Sequence, residues 1–243
     1  MRSLTFAKRN LKEILRDPLN LSFLFGFPVV LLLLLSAIQA NIPVSMFEIE
    51  HLAPGVMVFG LSFMTLFSAT VIAKYRISSF MHRLYTTPMK PVDFILGYTL
   101  PLIPIAMMES AVTYLVAILL GLAPSVHLLL SVLFMIPISM LYIGLGLLCG
   151  SLFNDKQVGG ICGALLTNVS AWLSGIWFDL DLVGGVFRQI AELLPFIHAV
   201  EMERAVVAGN LSGALPHFLW VLGYAVFVLI LAVFAFLRQM KRQ

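Results

Sequence analysis

Charge is scarce in this chain: 11% of its 243 residues are Asp, Glu, Lys or Arg, while 60% are hydrophobic. A soluble domain carries roughly 25% charged residues to cover its surface, so a soluble fold is excluded. Cysteine is almost missing as well. Cys149 and Cys162 both fall inside apolar runs and read as small fillers, so neither a disulfide framework nor a metal site is expected. The chain has no G-x-x-x-x-G-K-[ST] loop to cradle phosphates. It also lacks H-E-x-x-H, a nucleophile elbow and any Cys/His spacing suited to zinc. It is therefore not expected to be an enzyme or to hold a cofactor of its own, and the energy for any work must come from another chain or an ion gradient.

What the sequence has instead is a set of long apolar runs. Windows of roughly 20 residues mark six of them, at about 19–40, 53–73, 95–120, 126–150, 158–178 and 216–237. Six crossings put both termini on one side, and there every Lys and Arg except Arg188 and Arg204 also falls. Cationic loops stay in the cytoplasm, so both ends are expected inside, in a multi-pass protein of the cell (inner) membrane. The net charge of +3 then reflects the bilayer's demand rather than an affinity for nucleic acid. The expected fold is all-α, a single transmembrane domain over residues 1–243, with soluble segments at 1–18, 74–93 and 179–215.

Residues 1–18 read as an interfacial helix rather than a cleaved leader. Leu4, Ala7, Leu11 and Ile14 recur at helical steps with Leu15 beside them, while Lys8, Arg9, Lys12 and Arg16 lie off that stripe. Asp17-Pro18 ends the helix. In the 74–93 loop, Phe80, Met81, Leu84 and Tyr85 form a second apolar stripe, with Arg76, His82 and Arg83 off it. Ser78 or Ser79 caps its start, and Pro88 and Pro91 stop it. Such a helix either lies on headgroups or docks into a groove of a cytoplasmic partner.

Glu109 is the ionisable residue deep in a span, where a charge costs roughly 3 kcal/mol on insertion scales. Three readings stay open: a substrate or gating contact in a watered cavity, a protonated carboxyl bonded to Thr113 or a neighbouring helix, or the proton site of an ion-coupled carrier. In the fifth run Thr167, Ser170 and Ser174 share one helical face with Asn168 beside it, preceded by Gly159, Gly160 and Gly163. Small and hydroxylated residues allow close helix packing. Beyond it, 183–194 and 196–208 read as two helices, the first with Val183, Val186, Phe187, Ile190 and Leu194 on one side.

Two stretches carry a resemblance. Arg83-Leu84-Tyr85-Thr86-Thr87-Pro88 with Asp93-Phe94-Ile95-Leu96-Gly97 resembles the loop after the second span of six-helix, type-2 ATP-binding-cassette exporter permeases. Leu194-Pro195-Phe196-Ile197-His198-Ala199, with Arg204 and Gly209, resembles their last external segment. The chain departs from that family at Lys74-Tyr75-Arg76 and Ser78-Ser79, where members often carry an acidic run and a glycine. The resemblance implies a permease subunit, dimeric with a second copy or paralogue, above a cytoplasmic ATPase that binds ATP and Mg. It implies that Arg76, Phe80, Met81, Arg83, Leu84, Tyr85 and Pro88 couple to that ATPase. It further implies a translocation route along Thr167, Asn168, Ser170 and Ser174 of the fifth run, to which the substrate-contact reading adds Glu109. An external gate at Pro195, His198 and Arg204 would be formed by re-entrant helices before the last span. The implied activity is export of an amphipathic or hydrophobic cargo such as a drug, lipopeptide or lipid-linked molecule. The alternative is an ion-coupled carrier that uses Glu109.

Overall fold

The computed structural model describes residues 2–42, 47–77 and 91–240. Every regular element among them is helical. Helix α1 (Arg2–Ile14) precedes a short α2 (Pro18–Leu21) that runs through a π-turn, Ser22–Gly26, into α3 (Phe27–Gln39). Next come α4 (Ile49–Ile77), α5 (Pro91–Thr99), α6 (Leu102–Leu119) and α7 (Val126–Leu152). The fifth apolar run is broken into α8 (Asp155–Val158), a π-helical stretch Gly159–Leu166, and α9 (Thr167–Trp172). After it follow α10 (Leu180–Val183), α11 (Gly185–Leu193), α12 (Pro195–Val207) and α13 (Leu211–Met240).

Among the described residues, five segments are long and apolar enough to cross a membrane: Ser22–Gln39, Ile49–Tyr75, Ile95–Leu119, Val126–Leu152 and Leu211–Gln239. The fifth run of the sequence is not among them: its helix stops at Trp172, short of the run's end, and its 18 residues open on the polar Asp155, Lys156 and Gln157. Glycine is the poorest helix former after proline, and Gly159, Gly160 and Gly163 all fall in the π stretch.

Helix α4 is the central element. It crosses α7 closely enough that a Cβ at Gly146 would meet Ser68 Oγ at 1.7 Å and the Thr65 carbonyl oxygen at 2.5 Å. That approach lets Thr65 Oγ1 donate to the Tyr142 carbonyl at 3.0 Å, the kind of interhelical bond that joins helices where hydrophobicity offers no drive. On the other side of α7, Leu141 packs with Ala225 and Val228 of α13. Along α3, Phe27 stacks edge-on against Phe63 at 5.1 Å. The outward faces of α3 and α13 stay apolar and exposed, through Val30, Leu33 and Leu34 on one and Leu219, Phe227 and Phe234 on the other. In water these faces would have no partner; in a bilayer they face acyl chains or a second chain.

The N-terminal helix is docked on protein, and its buried side differs from the stripe the sequence suggests. Ala7 and Ile14 are buried with Phe6 and Asn10, whereas Leu4 (67% exposed) and Leu15 point away. The cause lies on α5: a Cβ at Gly97 would sit 2.1 Å from Phe6 Cδ1. That notch receives the Phe6 ring, which stands edge-on to Tyr98 at 5.1 Å. Asn10 Nδ2 then donates to the Gly97 carbonyl at 2.9 Å. Tyr75, near the end of α4, donates its hydroxyl to Glu13 and lies under the Arg9 guanidinium.

The helix expected over 183–194 is interrupted. Gly184 and Gly185 take positive φ values of 61° and 57°, a region that costs other residues dearly, and they separate α10 from α11. Of its expected apolar side, Val183, Val186 and Ile190 are exposed in this chain.

Candidate functional site

Helix α12 gathers most of the polar contacts at the end of the bundle opposite α1. Leu194 is extended, with φ −93° and ψ 155°, and Pro195 occupies the first turn, where its missing N–H costs nothing. His198, one turn on, has Nδ1 2.8 Å from His217 Nδ1 on α13 and Nε2 2.8 Å from the Glu192 carbonyl oxygen. Since two ring nitrogens share that contact, one must carry the proton and the other must be bare. Trp220 packs against the His198 ring at 5.0 Å, and Tyr224 donates to the Leu193 carbonyl at 2.7 Å. The α11–α12 corner is thereby tied to the last long helix at several points.

Arg204 ties the same helix to the other side. Its Nη2 donates to the Gly175 carbonyl at 3.1 Å and its Nε to the His51 carbonyl at 3.4 Å. Nη1 pairs with Glu201 at 2.8 Å. His51 opens α4, and Gly175 lies in the turn after α9. One guanidinium fork thus holds three segments, a task its fixed planar donors suit better than an ammonium. A cavity of about 260 Å³ opens beside it, bounded in part by Glu50, His51, His127 and Arg204. Gly209, with φ 76°, ends the helix against the His127 ring.

Sequence reasoning missed Glu203. Its side chain is 0% exposed, and it accepts a hydrogen bond from Ser131 of α7, which is itself bonded to the Tyr114 hydroxyl of α6. Glu203 Oε1 has no hydrogen-bond partner among the described residues. Burial pushes the carboxyl well above the usual carboxylate range, and the Ser131 bond offsets part of that rise. The signal was present: Phe196, Ala199, Val200, Glu203 and Val206 follow helical spacing, which puts Glu203 on the buried stripe.

Glu109 is fully buried too, and neither carboxyl oxygen has a hydrogen-bond partner among the described residues. It packs against Gly60, where a Cβ would lie 2.2 Å from Glu109 Oε1 and 2.7 Å from Pro28 Cγ. Thr113 donates to the Glu109 main-chain carbonyl at 3.0 Å. Thr167 and Ser170 lie on α9 and Ser174 in the turn after it; all three are buried, and their hydroxyls donate to the Cys162, Thr167 and Ala171 carbonyls. Asn168 alone is exposed, with Nδ2 on the Ala164 carbonyl at 2.7 Å.

Of the expected ATPase-coupling residues, Arg76 stands in the last turn of α4. Phe80, Met81, Arg83, Leu84, Tyr85 and Pro88 lie outside the described residues. Cys149 and Cys162 are buried free thiols in one small cluster. No group of His, Cys, Asp and Glu able to hold a metal occurs among the described residues.

The long apolar helices are those of a chain able to cross a membrane several times. Comparison with protein families gives a match to the ABC-2 type transporter over residues 3–208. The chain belongs to that family. No curated protein matches it. An ABC-2 type domain is a membrane transport domain rather than a catalytic one, and it normally works with an ATPase subunit. The matched stretch runs from α1 through α12, so the Pro195, His198 and Arg204 contacts and the Glu203 cluster all fall within it.

Proposed function

We propose that this ABC-2 chain is the membrane-spanning subunit of an ATP-driven exporter. In this reading both termini are cytoplasmic and the broken α8–α9 run serves as a sixth membrane passage. A second copy or paralogue completes a dimer above two ATPase subunits carrying ATP and Mg. ATP binding draws on the Phe80–Tyr85 stripe, with Arg76, Arg83 and Pro88 around it, and on α1. The observation that carries the reading is the docking of α1: Phe6 in the Gly97 notch and Tyr75 on Glu13 link α1, α4 and α5, so a pull on the intervening loop reaches the bundle. At the far end α12 closes the exit through His198 and Arg204. The route passes Glu109 and the Thr167–Ser174 face, and the few charges favour an amphipathic or hydrophobic cargo.

The test is mass spectrometry of what copurifies with the tagged chain from gently solubilised native membranes. A stoichiometric protein with a phosphate-binding loop is expected, and it should be lost in F80D/L84D. Recovery of the chain alone, with transport in liposomes that needs no ATP, overturns the reading in favour of an ion-coupled carrier. The observation on that side is the unpartnered carboxyl of Glu109, and E109Q should then stop transport.

A further inference from the structure

Helix α12 is tied to its neighbours by His198 and Arg204, and to α7 by one buried carboxyl. Glu203 is fully buried, and Ala199, Val200, Met202 and Val206 around it on the helix are sealed as completely. Its Oε2 accepts from Ser131 of α7, which is bonded in turn to the Tyr114 hydroxyl of α6, while Oε1 has no hydrogen-bond partner among the described residues. No cation pairs with this carboxyl among the described residues. Arg204, next in the chain, spends its guanidinium on Gly175, His51 and Glu201. His127, one turn before Ser131 on α7, lies against Gly209 beyond the end of α12. His198 and His217 of α13 hold each other, and Arg188 of α11 holds Asp181 and Glu192. Glu50 and His51, at the start of α4, border the outer cavity with Arg204. Tyr142 of α7 meets Ser170, and Tyr224 of α13 donates to the Leu193 carbonyl. An ionised Glu203 would thus keep one hydroxyl donor and no opposite charge in a sealed site. A carboxyl so placed stays neutral instead.

We infer that Glu203 is a proton-operated lock on α12: the neutral acid lets α12 seat against α7, and lifting α12 away sends the proton to the water outside. In that step the carboxyl O–H bond breaks, its electron pair stays on the carboxylate, and external water takes the proton. The inference rests on the reading of α12 as the element that closes the exit, and it adds what sets that closure. The direction follows from linkage. Seated, Glu203 holds a proton that the lifted, hydrated carboxyl gives up once pH passes the ordinary carboxylate range. Seating is therefore strongest below that range. Above it, seating weakens by up to about tenfold per pH unit, until the seated carboxyl itself ionises. An acidic exterior keeps the exit shut, and a neutral or alkaline one eases its opening.

The experiment uses the full chain in phosphatidylcholine nanodiscs. Amide hydrogen exchange is followed in α12 and in α7, for wild type and E203Q, from about pH 5 to about pH 8. E203Q keeps a neutral acceptor for Ser131 and has no proton to release. Dividing the wild-type rate by the E203Q rate at each pH cancels the intrinsic pH dependence of exchange. The quotient for α12 is expected to climb with pH, by up to about tenfold per unit, while the quotient for α7 stays level. E203M, which also has nothing to titrate, is the reference if E203Q does not fold. A level quotient in α12 overturns the inference. So does an equal climb in both helices, which marks unfolding of the whole chain rather than lifting of α12. A climb confined to α12 sustains the lock even where ATP-driven transport ignores external pH; that result would overturn the exit reading alone.

Discussion

Arg204 Nη2 donates to the Gly175 carbonyl at 3.1 Å, joining the helix before the last long span to the turn where the fifth apolar run ends. Its remaining donors reach His51 and Glu201. Three segments meet on one side chain, and their relative positions are expected to depend on it.

R204A removes all of these bonds and leaves two main-chain carbonyls to find other partners. A loss of about 2 kcal/mol is expected, in line with hydrogen bonds to charged groups. R204K restores the charge without the fork and should recover less than half of that loss. Thermal unfolding in nanodiscs measures both, and equal behaviour of wild type and R204A would remove the clamp.

Glu203 makes stability depend on pH in a stated direction. Burial raises its folded value well above the usual carboxylate range, so once pH passes the unfolded value the folded chain still holds a proton that the unfolded chain releases. The contribution is complete below the unfolded value and is lost as pH rises toward the folded one. E203Q keeps a neutral acceptor for Ser131 and has nothing to titrate. The unfolding midpoint of wild type minus that of E203Q should therefore fall as pH rises from acid to neutral; parallel curves would show that no proton is held.

G146A strikes a Cβ against the Thr65 main-chain carbonyl at 2.5 Å as well as Ser68 Oγ. Overpacking of this kind costs about 1–3 kcal/mol. Adding S68A should give only partial rescue, because the backbone oxygen of Thr65 cannot be trimmed. Full rescue, read from the amount of folded protein and its unfolding midpoint, would place the close contact elsewhere.

S170A and S174A separate packing from transport. Ser174 bonds only the Ala171 carbonyl, so S174A should alter stability by less than about 1 kcal/mol; Ser170 also meets the buried Tyr142 hydroxyl, so S170A should cost about 1–3 kcal/mol. If the face serves the route, S174A changes ATP-driven transport while its unfolding midpoint stays close to that of wild type. Unchanged transport in both would take this face out of the route.

Much of the fold was legible because transfer into a bilayer is nearly additive along the chain. The long apolar helices and the amphipathic α1 follow from composition and spacing. So does the proline at the start of α12. The fifth run shows where that additivity ends, since a hydropathy window counts residues up to Phe178 while the helix itself stops at Trp172. On α1 the spacing indicates an apolar side but not its partner: the notch at Gly97 selects Phe6 and Asn10 and leaves Leu4 outside.

The sequence by itself determined a multi-pass helical membrane chain of this transporter family, with Arg204 and His198 marked by motif. Only the tertiary structure decided which polar groups meet. Ser131 and Glu203 are 72 residues apart and Asn10 and Gly97 are 87 apart. No periodicity within one helix specifies the approach of another. Hydrophobic burial, which sorts residues by their own chemistry, is written locally; hydrogen-bond pairing depends on the relative placement of two distant backbones, and that placement is settled by packing at positions such as Gly97 and Gly146.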